Sequence, residues 1–386
     1  MSTEAALLAA IVANPDEDAA RLVYADFLQE SGTESTTARA EFIRAQVALA
    51  RPPQKGERAK RRALLAPAKR LQKQHGAEWA APVFDAAGIP REKFHRELGY
   101  DDWDRGFLAF TRFDDLAAFR ARAPDVSALG PIAGLTLNKF NDADVRALAE
   151  MPALRTVKVL GLYGTGSLTG PNERNIGDDT AAALAASPHL ARLETLDLTQ
   201  NRLTTAGVRS LAHSTALSRL TKLRLYGNSA VNDETYAMLV ASPLATRMTE
   251  WQADGSSGVT SEAARILARA PHLAHVTAIS FSNTDIEDDG VEALAGGHFP
   301  ALRELDFRNT NVTDRAVRTI ARAPVFANLE RLNFVKTWIG GTGARYLRES
   351  KTLTKIKFLA LYSAVPGASE AALKKRFGRK VEFGRI

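Results

Sequence analysis

The chain has no cysteine among its 386 residues. That excludes a disulfide framework and any thiolate metal site. It also has no apolar run of the ~18 residues a membrane-spanning helix needs, so no span is expected. Its opening, MSTEAALLAA, lacks a basic stretch and soon turns acidic, which argues against a secretory signal. A cytoplasmic address is the default expectation.

Reactive constellations are missing too. The Gly-rich stretch from Leu160 to Asn175 has neither the Lys-Ser/Thr that follows a phosphate loop nor the GxGxxG spacing. It lengthens one unit of the chain and is expected to project as a rim loop. Gly340-Gly341-Thr342-Gly343 fits a turn before a helix. Seven histidines are scattered, and His272 and His275, three apart, have no acidic partner at ligand spacing. Asp285, Glu287, Asp288 and Asp289 lack the alternating oxygens and distal Glu of a calcium loop; they suit a helix N-terminus. No catalytic residue, cofactor or metal is assigned, and the chain is expected not to be an enzyme.

What the chain does have is repetition. Leu193, Leu196 and Leu198 are followed by Asn201, Leu203, a threonine pair, and Val208 and Leu211. The two-residue step from Leu196 to Leu198 is strand alternation, so both point to one side while Thr195, Asp197 and Thr199 point to the other. Asn201 sits where the chain must turn, and its amide can satisfy backbone groups left unpaired there. Thr204 or Thr205 offers a helix cap, and Val208 and Leu211 share one helical face.

Equivalent cores read Ile132/Leu135/Leu137, Leu154/Val157/Val159, Leu220/Leu223/Leu225, Met248/Trp251/Ala253, Val276/Ile279/Phe281, Leu302/Leu305/Phe307, Leu329/Leu332/Phe334 and Leu353/Ile356/Phe358. From Leu196 onward they recur every ~24–28 residues, the period of a leucine-rich repeat. Asn228 repeats the asparagine, and Thr284, Thr310 and Thr337 replace it elsewhere. Prolines 152, 188, 243, 271 and 324 punctuate helix ends. Asp142, Asp233, Ser261, Asp288 and Asp314 are expected to supply helix caps. One such unit cannot bury its apolar side alone, so stacking must stabilise the array.

The expected fold is therefore α/β: a leucine-rich-repeat solenoid, a horseshoe with a parallel concave sheet and outer helices, behind a small all-helical N-terminal module. Its parts are 1–93 (helical module), 94–131 (aromatic cap region with a degenerate first repeat), 132–362 (repeats) and 363–386 (cap with a basic tail). Helices are expected through residues 1–50, with a basic one over 57–75. Gly106 to Phe113 is expected to be the degenerate first strand. Phe94, Leu98, Tyr100, Trp103, Phe107, Phe110 and Phe113 would cover the open end.

The N-terminal residues carry a resemblance. Arg21-Leu22-Val23-Tyr24-Ala25-Asp26-Phe27-Leu28, Glu30, Gly32, then Arg39, Glu41, Phe42, Ile43, Arg44 and Gln46, look like the short repeat-companion module. That module precedes leucine-rich repeats in bacterial proteins, chiefly of planctomycetes and myxobacteria. Trp79 and Asp104-Arg105-Gly106-Phe107 share the likeness. The resemblance implies a bacterial protein with long repeats like those of ribonuclease inhibitor, and no particular activity. Tyr24, Phe27, Leu28, Phe42, Ile43 and Leu49 would form the module's core. Asp26, Arg39, Glu41 and Arg44 are either a small recognition site or internal ion pairs.

Function then rests on the concave face. Its outward residues include Lys158, Asp197, Thr199, Arg224, Tyr226, Glu250, Gln252 and Asp254. Further along come Glu304, Asp306, Arg308, Arg331, Asn333, Lys355 and Lys357. Arg224, Tyr226, Asp306 and Arg308 are the best anchors, since Tyr and Arg dominate interface energetics. Trp251 occupies a core position, and Trp338 falls in a turn as either an exposed anchor or part of the C-terminal cover. The first expectation is a protein-binding scaffold, with the partner another protein and no membrane. The net charge of +7 includes basic clusters at 55–73 and 374–385. They leave polyanion or nucleic-acid binding as the alternative. A small-GTPase regulator follows only from likeness of fold.

Overall fold

The computed structural model describes residues 2–54, 56–90, 102–165, 175–228, 230–256, 258–362, 367–378 and 381–384. The chain divides into two compact units, Met1–Phe140 with Ala147–Leu162, and Asn141–Arg146 with Tyr163–Ile386.

The first unit opens with α1 (Thr3–Ala13), α2 (Asp18–Glu30), α3 (Glu34–Ala50) and α4 (Arg58–Ala87). The Ser2 and Thr33 hydroxyls cap α1 and α3 by accepting the N–H groups of Ala5 and Thr36, each at 3.2 Å. Helix α4 runs a dozen residues beyond the sequence expectation, through Pro67 and Pro82, to a left-handed Gly88. Buried Ala68, Trp79 and Ala80 hold it along its length. Tyr24, Leu28 and Ile43 share one core with Phe107, and Phe42 and Trp79 share another with Trp103 and Leu108. Phe27 and Leu49 are only partly buried. Asp26 pairs with Arg44 at 2.6 Å.

The expected first strand, Gly106 to Phe113, holds two elements, Phe107–Leu108 and Phe110–Phe113. β1 (Trp103–Asp104) and β2 (Phe107–Leu108) pair antiparallel. The reversal is made by Arg105 and Gly106, both at positive φ (51° and 89°). A Cβ on Gly106 would run into the Ile43 side chain, so only glycine closes this turn. Gln46 clamps the hairpin, donating to the Trp103 carbonyl at 3.3 Å and accepting from Gly106 N–H at 2.6 Å. Then β3 (Phe110–Phe113), α5 (Leu116–Ala128) and β4 (Gly134–Leu137) follow, with α6 (Asp142–Ala149) and β5 (Val159–Gly161) after them. β3 pairs with β4 and β4 with β5, all parallel. Phe94, Leu98 and Tyr100 lie outside the described residues.

The second unit alternates helix and strand. Its elements are α7 (Asp178–Ala186), β6 (Thr195–Asp197), α8 (Thr205–Ala212), β7 (Lys222–Arg224), α9 (Asp233–Val240) and β8 (Glu250–Gln252). There follow α10 (Ser261–Ala268), β9 (Ala278–Ser280), α11 (Asp288–Ala295), β10 (Glu304–Asp306), α12 (Asp314–Ile320) and β11 (Arg331–Phe334). α13 (Gly341–Glu349), β12 (Phe358–Tyr362), α14 (Gly367–Phe377) and β13 (Val381–Gly384) close it. β6 and β7 pair parallel, and β8 to β13 form a six-stranded parallel sheet in chain order. β7 and β8 belong to separate sheets. The seam falls at the strand whose core residue is Trp251, which is buried against Tyr236.

Register confirms most of the apolar series and corrects two members. Leu196, Leu223, Trp251, Ile279, Leu305 and Leu332 are all buried, and each pairs across its ladder with its counterpart. Leu160, not Val157, lies opposite Leu135, so that core reads Val157/Leu160/Leu162. At the other end Leu359 lies opposite Leu332, and Leu359/Leu361 replace Ile356/Phe358. Both slips are of three residues, and in a strand any odd slip exchanges the two faces, so each also misplaces the outward residues.

The turn after each strand is built the same way. Asn201 and Asn228 each donate to the carbonyl three residues back at 2.9 Å, and accept the N–H of Ile176 and Leu203 at 3.0 Å. Thr284, Thr310 and Thr337 keep only the first bond, each at 2.7 Å. Ser256 fills the same place in the β8 unit and was not anticipated. Thr204 caps α8 as expected, while α9, α10 and α12 are capped by Asn232, Thr260 and Thr313, each one residue before the expected Asp233, Ser261 and Asp314.

Candidate binding face

The outward row of the second unit runs through Thr195, Asp197 and Thr199, then Arg224 and Tyr226, then Glu250, Gln252 and Asp254. It continues through Ser280 and Ser282, Glu304, Asp306 and Arg308, and Arg331 and Asn333. Leucine and phenylalanine at the alternate positions are buried, so the backbone presents these side chains from a fixed sheet. Arg308 and Arg331 keep about half their side-chain area exposed, and Tyr226 is 37% exposed. Tyr226 lies against the backbone of Gly255, where an added Cβ would fall 2.7 Å from its ring.

Opposite charges on this face are matched strand to strand. Arg224 faces Asp197 at 3.4 Å, Lys222 pairs with Glu250, and Arg331 with Glu304 at 3.3 Å. Asp306 accepts from the backbone N–H of Arg308 at 2.8 Å and from the Asn333 amide at 2.9 Å. Asp197 is closed in the same way, accepting from the N–H (3.1 Å) and hydroxyl (2.6 Å) of Thr199. Arg331 also stacks on Phe358, 4.5 Å from the ring centre.

Asp254 differs. Burial raises its carboxyl to about 6, Asp306 nearby adds to the rise, and the Ser280 hydroxyl and Ser282 N–H oppose it. Those two donors sit at 2.5 and 2.9 Å. The buried Tyr236 hydroxyl beneath donates to the Gln252 carbonyl at 2.6 Å, and burial holds its own ionisation well above the usual tyrosine range.

Parallel strands, a helix between each pair, a turn amide or hydroxyl in every unit, and buried aliphatics in register form one repeating geometry. A family model described as leucine-rich repeat matches residues 189–212 and 272–295, which cover β6 with α8 and β9 with α11. This is a leucine-rich-repeat fold. Among solved structures the chain is similar to an internalin from Listeria monocytogenes, at 14% identity over 71% of each chain and a TM-score of 0.39. It is also similar to a protein from Bacteroides fragilis, at 13% identity over 67% of this chain and 76% of the other, with a TM-score of 0.45. No curated protein matches it in sequence.

Register moves three residues off the face of the repeats. Lys158 stands just before β5, and its ammonium pairs with Asp104 at 2.8 Å. Lys357 likewise precedes β12 and pairs with Glu330, while Lys355 donates to Asn328 at 2.6 Å. The positions they were expected to hold belong to Gly161, and to Phe358 and Ala360. Phe358 and Lys222 also stand on this face, opposite Arg331 and Thr195. Phe358 is hidden by the register slip, and Lys222 opens β7 two residues before Arg224.

The discounted motifs have local roles. His272 and His275 contact the carbonyls of Val240 and His272 at 3.0 and 3.1 Å. Asp288 and Asp289 accept from Thr313 and Ser261. In the basic clusters, Arg61 donates to the Leu49 and Arg51 carbonyls at the end of α3, and Arg376 to those of Arg348 and Ser350. Lys55, Arg379, Lys380 and Arg385, His95, and 166–174 of the Gly-rich loop lie outside the described residues.

Proposed function

We propose that this chain is a non-enzymatic protein-binding scaffold, with its partner seated on the outward face of the repeat sheet from β6 to β11. One observation carries the reading: exposed Tyr226 follows β7, Arg308 follows β10 and Arg331 opens β11, with acidic neighbours at 3.3–3.5 Å holding the arginines in place. Side chains held before contact lose less freedom on binding, so more of the interaction appears as affinity. The helices α1–α4 are, on this reading, a repeat-companion module of the planctomycete and myxobacterial type. The buried Tyr24, Phe42, Trp79 and Phe107 that carry the resemblance give it a packing role. The test is combined reversal of Arg224, Asp306 and Arg308 to Glu, Lys and Glu. Proteins captured by the wild type should be lost by a variant with unchanged circular dichroism and melting temperature. Undiminished capture by that folded variant would overturn the assignment.

A further inference from the structure

A second surface lies at the turns that follow β9, β10 and β11. The residues after Thr284, Thr310 and Thr337 form a row of their own: Asp285, Asn311 and Trp338. The Asn311 N–H donates to the Ile286 carbonyl at 3.1 Å, and that of Trp338 to Val312 at 3.2 Å. Each step along the row is thus one repeat, about 4.7–4.9 Å. Asn309 and Lys336, held at positive φ (52° and 59°), form the opposite wall. Between the walls is a trough of about 610 Å³, floored by the threonines. That volume suits a small ligand.

Two properties separate this trough from the sheet face. Trp338 is 76% exposed, whereas Trp79, Trp103 and Trp251 are buried. Among the described residues, the Asp285 carboxylate, the Asn311 amide and the Lys336 ammonium have no hydrogen-bond or ion-pair partner. On the sheet face, by contrast, charges are matched.

We propose that the trough binds a neutral oligosaccharide, with one pyranose ring stacked on the Trp338 indole and the hydroxyls of the sugars that follow it held by Asn311 and Asp285. A sugar ring presents C–H bonds on its faces and hydroxyls at its edge, which matches an indole beside amides and a carboxylate. One cation and one anion leave the lining without net charge, which disfavours a charged ligand. A peptide partner would instead call for apolar neighbours sealing the indole from water, since interface cores are apolar. Here the indole shares the trough with Asn309, Asn311 and Lys336, and Ile339 is the one large aliphatic side chain of the lining. The spacing of the row is close to the length of one ring, so an extended glycan would advance about one sugar per repeat. This site shares no residue with the proposed protein-binding face.

The experiment uses the full chain in native affinity gels containing laminarin, hydroxyethylcellulose, xylan or galactomannan. It adds titration of tryptophan fluorescence with the oligosaccharide matching any gel that retards the protein. Expected are retardation by at least one glycan, its loss in Trp338→Ala, its survival in Trp338→Phe, and a weakening of about tenfold in Asn311→Ala. High salt should leave binding unchanged. No retardation by any of the four glycans would overturn the proposal, as would equal binding by the folded Trp338→Ala variant. Loss of a captured protein in Trp338→Ala, with no glycan bound by the wild type, would overturn it in favour of a peptide contact.

Discussion

Asp288 caps the helix that follows its own. Its carboxylate accepts the backbone N–H of Thr313 at 2.7 Å and the Thr313 hydroxyl at 2.6 Å, where Thr313 is the cap of α12. It also takes the N–H of Ala316 at 3.1 Å. Asp178 and Asp233 repeat the arrangement on Thr204 and Thr260, and Asp314 on Gly340. Each aspartate stands in the first turn of its own helix, where that helix dipole also favours a negative charge. One side chain therefore serves two helix starts and ties one repeat to the next.

Removing that link should cost more than removing an ordinary cap. Asp288→Ala is expected to lose ~1–3 kcal/mol, the range for hydrogen bonds to a charged acceptor. Asp288→Asn, which keeps an acceptor oxygen, should lose less. In urea titrations, Asp288→Ala and Thr313→Ala should be strongly non-additive because both act through one contact. Additive losses would mean the two residues stabilise their helices separately.

The corrected register at the C-terminal end makes its own prediction. Leu359 is buried opposite Leu332, whereas Ile356 is only partly buried. Leu359→Ala should destabilise by ~2–5 kcal/mol, and Ile356→Ala by distinctly less. Comparable losses, read from denaturation midpoints, would restore the register expected from spacing alone.

Those residues mark how far the sequence can be read. From Leu196 to Leu332 a turn Asn, Ser or Thr follows each strand's core residue by five positions, so face and core separate by counting. Val157/Val159 and Ile356/Phe358 mislead because apolar residues alternate there just as the true core does, three positions out of step. The link from Asp288 to Thr313 spans 25 residues of chain and appears only when two repeats are stacked. Asp288 therefore looked like an ordinary cap. The Trp338 trough was invisible for the same reason, since its walls come from three turns that meet only in the folded array. On the sheet face the outward positions of β6 to β11 are legible by alternation, but the register that takes Lys158, Lys355 and Lys357 off the face is not, nor is the pairing across strands.

Backbone geometry at the turns sets a third expectation. Gln200, Asn283, Asn309 and Lys336 all have φ between 52° and 59°, and Gly227 and Gly255 fill the equivalent places at 69° and 73°. Asparagine tolerates this region better than glutamine. Gln200→Asn should therefore raise stability slightly, by about 0.5 kcal/mol. Gly255→Ala combines the left-handed penalty with a Cβ 2.7 Å from the Tyr226 ring. It should cost ~1–3 kcal/mol and shift the near-ultraviolet signal of that tyrosine. A neutral Gly255→Ala would mean the ring moves aside freely.

Asp254 gives the array a pH dependence whose sign follows from its surroundings. Burial raises its carboxyl from 3.8 to about 6, with Asp306 adding to the rise against the opposing Ser280, Ser282 and Arg308. Below about pH 4 the group is protonated whether folded or unfolded, and it favours neither state. Between about pH 4 and 6 the folded chain holds a proton that the unfolded chain has released, so stability falls as pH rises. Above about pH 6 the group is ionised in both states and the deficit is constant, roughly 2–3 kcal/mol for a shift of this size. Asp254→Asn cannot ionise, yet its amide oxygen can still accept the Ser282 N–H. The variant should therefore melt increasingly above the wild type from pH 4 to 6, with a steady margin from pH 6 to 8. Melting curves that stay parallel across that whole range would show that Asp254 is solvated as an ordinary carboxylate.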